Sequence, residues 1–439
     1  MSGTGHRWPS PAVAWWSILV FFIVAVISYS DRLVLSLLVD PIRRDLKFGD
    51  TEVALIQGLA FALVYSVAGL PFGRLADIFA RRGVIIVGVV IWSLCTVACG
   101  YATAFSTFFV ARIGVGIGEA AFAPAAVSMI ADLFPPHRRG LAIGCLLTGQ
   151  AVGSGLAIVI GGGLLQYAMN HGFDGVAIVG SLAPWRSVLV ILGMAGIGPI
   201  ALLLTLREPV RHIPPGSVPV PTLAAVLREF RRLAPILVPV YLAVSLVSAG
   251  DFSIQNWLPT MLSRRFAYSP GEIAATLGVV SIIVGGAGTI AGGLASDGQA
   301  RNGGDARRLL VSICAVVIGM AGGFQWLSGS GGQAIALFGL WIFMSSISGT
   351  VGITVLQNVV PNEMRGIGTA LVSFCNVLMG LALGTVLTGA LTDYVFGNPL
   401  AVGQSMSVVA IVSALSALLL FWTARRRVLA TGSIANGTG

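Results

Sequence analysis

Runs of apolar residues about twenty long recur from one end of this chain to the other, and nothing constrains its fold more. A helix rises about 1.5 Å per residue, so about twenty apolar residues cross the roughly 30 Å hydrocarbon core of a bilayer. Twelve such runs are legible, at approximately 12–38, 53–73, 83–102, 105–131, 140–168, 186–206, 234–262, 271–294, 309–328, 333–358, 365–393 and 401–424. Hydrocarbon offers unpaired backbone groups no partner, so only helices and closed barrels cross it. Barrel strands are about ten residues long and alternate apolar with polar; these runs do neither. The expected fold is an all-α membrane protein of twelve transmembrane helices. With 56% hydrophobic and 10% charged residues, the chain is far from the roughly 25% charge of a soluble domain.

The net charge of +9 invites a nucleic-acid reading, which the positions of the charges argue against. An even number of spans places both termini on one side. That side carries 18 of the 26 basic residues, among them Arg74, Arg81, Arg82, Arg138, Arg139, Arg228 and Arg425–Arg427. The other side carries six: Arg43, Arg44, Lys47, Arg186, Arg264 and Arg265. Cytoplasmic loops are the ones enriched in Lys and Arg, so both termini are expected in the cytoplasm. The short loops point to a bacterial inner membrane. Cys95, Cys99, Cys145, Cys314 and Cys375 fall within spans without metal-ligand spacing, so they are expected to pack as small apolar residues. The first run is too long for a signal-peptide core and carries Asp31-Arg32, so it is expected to remain as a helix of the mature protein.

One long polar interruption runs from Arg207 to Arg232. It opens as a proline-rich linker, REPVRHIPPGSVPVP, and continues as TLAAVLREFRRL, whose spacing predicts a short amphipathic helix on the membrane surface. The expected organisation is a tail at 1–11, a six-helix bundle at 12–206, the linker at 207–233, a second bundle at 234–424 and a tail at 425–439. The halves echo each other. Gly73-Arg74-Leu75-Ala76-Asp77 with Arg81-Arg82 matches Gly293-Leu294-Ala295-Ser296-Asp297 with Arg307-Arg308, and Arg139-Gly140 matches Arg365-Gly366. Two parallel repeats with a site at the midplane between them is a transporter architecture.

On these residues the chain resembles the major facilitator superfamily over essentially all of 12–424. GRLADIFARR is similar to that superfamily's loop motif, departing from it at Ile78 and Ala80. Gly73 is expected to permit close helix approach, and Asp77 to face a helix N-terminus, with Arg81 and Arg82 holding the cytoplasmic side. The resemblance implies a gating role for Asp77.

Charges inside spans are the chemical feature. Each costs roughly 2.5–3.5 kcal/mol at a bilayer centre, and this chain keeps Asp31 and Arg32 in the first span, Arg112 and Glu119 in the fourth. Arg112 and Glu119 are seven residues apart, on one helix face and separated by roughly 10 Å of rise. Asp31 and Arg112 lie at comparable depth and are expected to pair if the two spans adjoin. The four histidines lie in tails or loops, so a carboxylate must carry any proton, and Asp31 and Glu119 fit. A permanent structural ion pair is the competing reading. Gly114 and Gly118 give a close-packing face rather than a nucleotide loop, and Pro124 is expected to bend the helix.

RIGVGIGEAAFAPAAVSMIADLFPPHRRG and ISYSDR narrow the resemblance to the spinster branch. It implies proton-linked transport of lysophospholipid-like or sphingosine-phosphate-like amphiphiles. Asp31 and Glu119 would sense protons, with Arg32 and Arg112 as their partners or as headgroup contacts. Asp251, in the seventh span, is either a substrate or gating contact or a residue near the outer water boundary. Tyr29, Gln57, Tyr65, Gln150, Asn256, Gln357 and Asn376 either line a cavity or bond a neighbouring helix. No Walker loop, catalytic constellation or cofactor loop is legible, so the expected energy source is a proton gradient, with no cofactor and no enzymatic role. Expected partners are a small amphiphilic or anionic substrate, protons and membrane lipids, around a monomer. Sugar-acid or aromatic-carboxylate symport and multidrug efflux remain as alternatives.

Overall fold

The computed structural model describes residues 8–173, 176, 178–211, 223–300, 304–361 and 364–436. Among them there is no strand, and twelve helices are long and apolar enough to cross a membrane. In chain order these spans are Pro11–Leu46, Asp50–Gly69, Arg81–Tyr101, Phe105–Leu133, Leu141–His171, Pro184–Leu204, Val226–Phe266, Pro270–Gln299, Gly304–Leu327, Gly331–Val359, Leu371–Phe396 and Pro399–Ala430. The count matches the expectation. The edges move outward where helices outrun their apolar core, most of all in spans one and seven.

Span seven departs from expectation. The amphipathic segment 223–233 is not a separate surface helix; it is the first part of one helix, Leu223–Phe266, with Pro235, Pro239 and Pro259 inside it. The helix runs through Pro235 and Pro239, although neither has an N–H to give the carbonyl four residues before it. The start of the linker is also anchored. Glu208 Oε1 accepts from Arg81 Nε at 2.8 Å, and Arg211 Nη2 donates to the carbonyls of Ala76 and Phe79.

The chain forms two compact units, residues 1–46 with 63–217 and residues 47–62 with 218–439. In the first, span one packs on span five and span three on spans four and six. Span four breaks at Ala121 into helices Phe105–Ala120 and Phe122–Leu133. Pro124 explains the break: it has no N–H to give the carbonyl of Ala120. Span one breaks similarly at Val34, between helices Pro11–Leu33 and Leu35–Leu46. The glycine face on span four behaves as expected. A Cβ on Gly118 would lie 2.6 Å from both the Gly88 carbonyl oxygen and the Trp92 nitrogen, so the backbones of spans three and four are in contact there.

In the second unit, the helix Leu223–Phe266 packs on spans ten, eleven and twelve. Segment 47–62, the first half of span two, belongs to this unit. Arg264 holds Asp50 through two hydrogen bonds of 2.7 and 2.8 Å, and Thr51 donates to Asp393 from both its nitrogen and its hydroxyl.

Candidate functional site

The four membrane-embedded charges of the first unit converge. Asp31 and Arg32 end the first helix of span one, and Glu119 ends the first helix of span four, each beside a break. All four, with Arg112, are at most 4% exposed. The pairing crosses over. Arg32 Nη2 donates to Glu119 Oε2 at 2.7 Å, while Arg112 Nη1 lies 4.0 Å from Asp31 Oδ2. Neighbours on span one thus reach residues seven apart on span four, because the long arginine side chains absorb the difference in depth. Hydroxyls complete the set: Ser28 donates to Glu119 Oε2 at 2.8 Å and Thr96 of span three to Asp31 Oδ2 at 2.7 Å. Among the described residues, Asp31 Oδ1 and Glu119 Oε1 accept no hydrogen bond. Two acids and two guanidinium groups make the cluster neutral in sum, which is how so many charges tolerate removal from water. Ser28 was visible in the ISYSDR stretch as a departure, standing where Asn is common in the branch the stretch resembles. Thr96 was not, because one hydroxyl barely perturbs an apolar run.

Tyr29 and Tyr65 flank Arg32. Its guanidinium carbon lies 4.5 Å and 4.9 Å from their ring centroids, within reach of a cation–π contact. Gln150 is half-buried on span five. Gln57 falls in segment 47–62 of the second unit, buried in a π-helical turn, and neither of its polar side-chain atoms has a hydrogen bond among the described residues.

The loop motif divides. Arg81 is buried and paired with Asp132 and Glu208, and also donates to the carbonyls of Ser128 and Pro209. Arg82 donates to the Leu206 carbonyl at 2.7 Å. Asp132 belongs to the IADLF motif, so two sequence motifs meet in one ion-pair network. Among the described residues, nothing lies within 4 Å of where a Cβ on Gly73 would sit. Asp77 falls in the helix Ala60–Ile78, but its side chain lies outside the described residues.

In the second unit, Asn256 donates to the Thr385 hydroxyl at 2.7 Å, and Asn376 accepts from Ser245 at 3.1 Å. These are bonds to neighbouring helices. Gln357 is exposed near the end of span ten rather than buried within it. Asp251 lies fifteen residues before the end of its helix at Phe266, about 22 Å of rise. It accepts from Trp341 Nε1 at 2.7 Å.

Comparison with known proteins follows the same lines. The family model of the Major Facilitator Superfamily matches residues 20–382. An MFS-type efflux pump of Mycolicibacterium smegmatis is 26% identical over 425 residues, covering 95% of this chain and 94% of the pump. The hexuronate transporter of Bacillus subtilis is 25% identical over 415 residues, covering 90% and 94%. Among solved structures, a bacterial homologue of the human lysosomal transporter spinster, inward-facing and unoccupied, superposes with a TM-score of 0.81 at 25% identity over 94% of this chain and 98% of that one.

Proposed function

The chain belongs to the Major Facilitator Superfamily and is a multi-pass membrane transporter; we propose that it couples proton movement to transport of a lysophospholipid-like or sphingosine-phosphate-like amphiphile by alternating access. The observation that carries the proposal is the buried Arg32–Glu119 contact of 2.7 Å beside the Asp31–Arg112 contact of 4.0 Å. A guanidinium bound to a carboxylate is unavailable to an anionic headgroup. Protonating Glu119 removes the competitor and leaves Arg32 to bind phosphate, with Tyr29 and Tyr65 holding its plane. Loss of the proton returns Arg32 to Glu119 and expels the headgroup. Asp31 and Arg112 repeat the logic beside it. Proton and substrate anion then share one charge balance, which is coupling.

The amphiphile reading is also supported by the likeness to a bacterial spinster homologue over 94% of this chain. The similarity to a hexuronate transporter over 90% of the chain supports a second reading, symport of a small organic anion on the same arginines. The proposed setting is an inner membrane with both termini in the cytoplasm, an orientation the arginine distribution supports. The transporter works as a monomer with the proton gradient as its energy source.

Proteoliposomes with an imposed pH gradient test the reading, using labelled lysophosphatidylcholine against labelled glucuronate. Gradient-driven lysolipid uptake that disappears in Asp31→Asn and Glu119→Gln is the expected result. Uptake of glucuronate alone moves the assignment to the organic anion. Lysolipid movement indifferent to pH and to both substitutions overturns proton coupling at these carboxylates.

A further inference from the structure

We infer that Asp251 is a second proton-carrying carboxylate, the counterpart in the second unit of Asp31 in the first. The inference rests on the proton-coupled reading above and extends it to a residue outside the four-charge cluster.

The register of the repeat carries the argument. The offset of 220 residues that takes Gly73 onto Gly293 and Asp77 onto Asp297 also takes Asp31 onto Asp251. The structure keeps that register. Spans one and seven end at Leu46 and Phe266, and spans two and eight begin at Asp50 and Pro270. Between them, Lys47 and Ala267 both adopt φ of 57°. Asp31 and Asp251 therefore stand equally far, fifteen residues, before the ends of equivalent helices. In spans four and ten the offset is 226, which takes Phe105 onto Gly331 and Leu133 onto Val359 at the two ends. It takes Glu119 onto Ser345 and Arg112 onto Phe338, while Arg32 falls on Phe252 by the first offset.

The second copy has thus lost both arginines and one acid, and has kept a single carboxylate. Asp251 is held by neutral donors, Trp341 Nε1 at 2.7 Å and the Ser345 hydroxyl. Trp341 is itself seated by Gly250 and Gly322, whose Cβ positions fall 2.4 Å and 2.6 Å from it. The described charged groups at the ends of its helix and of the elements packed against it are Asp305, Arg307, Arg308 and Arg425–Arg427 at one end, and Glu272 and Arg264, with Asp50 bound to Arg264, at the other. At membrane depth the described titratable neighbours are Tyr241, Cys314 and Cys375, none of them cationic. A carboxylate here has no fixed positive charge to balance it, and a proton supplies that balance. Trp341 and Ser345 also border a void of about 10 Å³, room for about one water to deliver the proton.

The test uses the full chain in lipid. Infrared difference spectra between alkaline and acidic buffer report carboxyl protonation without a substrate. A C=O band that forms on acidification, vanishes in Asp251→Asn, shifts in Trp341→Phe and persists in Asp31→Asn is expected. A spectrum unchanged by Asp251→Asn overturns the inference. In proteoliposomes, accumulation of labelled lysophosphatidylcholine should depend less steeply on the pH gradient in Asp251→Asn, by about tenfold per pH unit for one proton fewer. Equal steepness in wild type and Asp251→Asn also overturns it. Wild-type accumulation that ignores the gradient instead sinks the proton-coupled reading, and the infrared band separates that failure from this one. Trp341→Phe keeps the carboxylate, so it reads the site even if Asp251→Asn does not fold.

Discussion

Removing one partner of a buried ion pair costs about 3–5 kcal/mol, because the other charge stays buried without compensation. Arg32 and Glu119 meet that condition, with side chains 3% and 0% exposed. Arg32→Met should therefore lower the melting temperature of the purified protein strongly. Adding Glu119→Gln removes the stranded charge, so the double variant should recover most of the loss. A double variant as unstable as Arg32→Met alone would show that Arg32 stabilises through its tyrosine contacts instead. Transport should fail in both variants, which separates stability from function. The sequence made the charges legible, since charges in apolar runs stand out, and depth alone suggested the Asp31–Arg112 match. It did not make legible that Arg32 takes Glu119. Asp31 and Arg32 point about 100° apart, and the outcome depends on how spans one and four face each other. Asp132 and Glu208, which bind Arg81, lie 51 and 127 residues from it, and no local pattern links them.

At the scale of the element, glycines show what a pattern can and cannot say. Gly118 and Gly73 both sit in helices beside motif residues. Gly118 is locked against backbone atoms of span three, whereas among the described residues nothing lies within 4 Å of a Cβ on Gly73. Gly118→Val should overpack spans three and four by about 1–3 kcal/mol and shift Glu119, which follows it directly. Gly73→Ala should leave thermal stability unchanged or raise it, since alanine gains about 0.5–1 kcal/mol over glycine in a helix interior. Melting curves of the two variants check this, and equal destabilisation would contradict the packing seen. The G-x-x-x-G spacing on span four was readable because it repeats along one helix face. The vacancy at Gly73 was not, because it depends on what fails to pack there. The continuous helix Leu223–Phe266 was missed because hydropathy separates a charged stretch from an apolar one and Pro235 between them reads as a stop, yet the helix runs through both.

Across the whole molecule, basic residues are sorted by end, and the pairing sharpens that sorting. At the end with six basic residues, Arg186 is held by Asp45 at 3.0 Å and Arg264 by Asp50 at 2.7 Å, so their charge is largely cancelled. At the other end Arg74, Arg138 and Arg426 are exposed on the surface. The orienting bias counts Lys and Arg near span ends, with acids contributing little. Here both the raw count and the compensated charge point the same way. Phe79 and Val176 are exposed at opposite ends of the first unit, 58% and 51% accessible. In a variant whose five cysteines are replaced, Val176→Cys should react with a membrane-impermeant maleimide on intact cells. Phe79→Cys should react only after the membrane is permeabilised. The reverse pattern would invert the protein and move Arg81, Asp132 and Glu208 to the outer face. The proton gradient would then drive the Glu119 cycle in the opposite direction, so this labelling fixes the sign of every transport assay that follows.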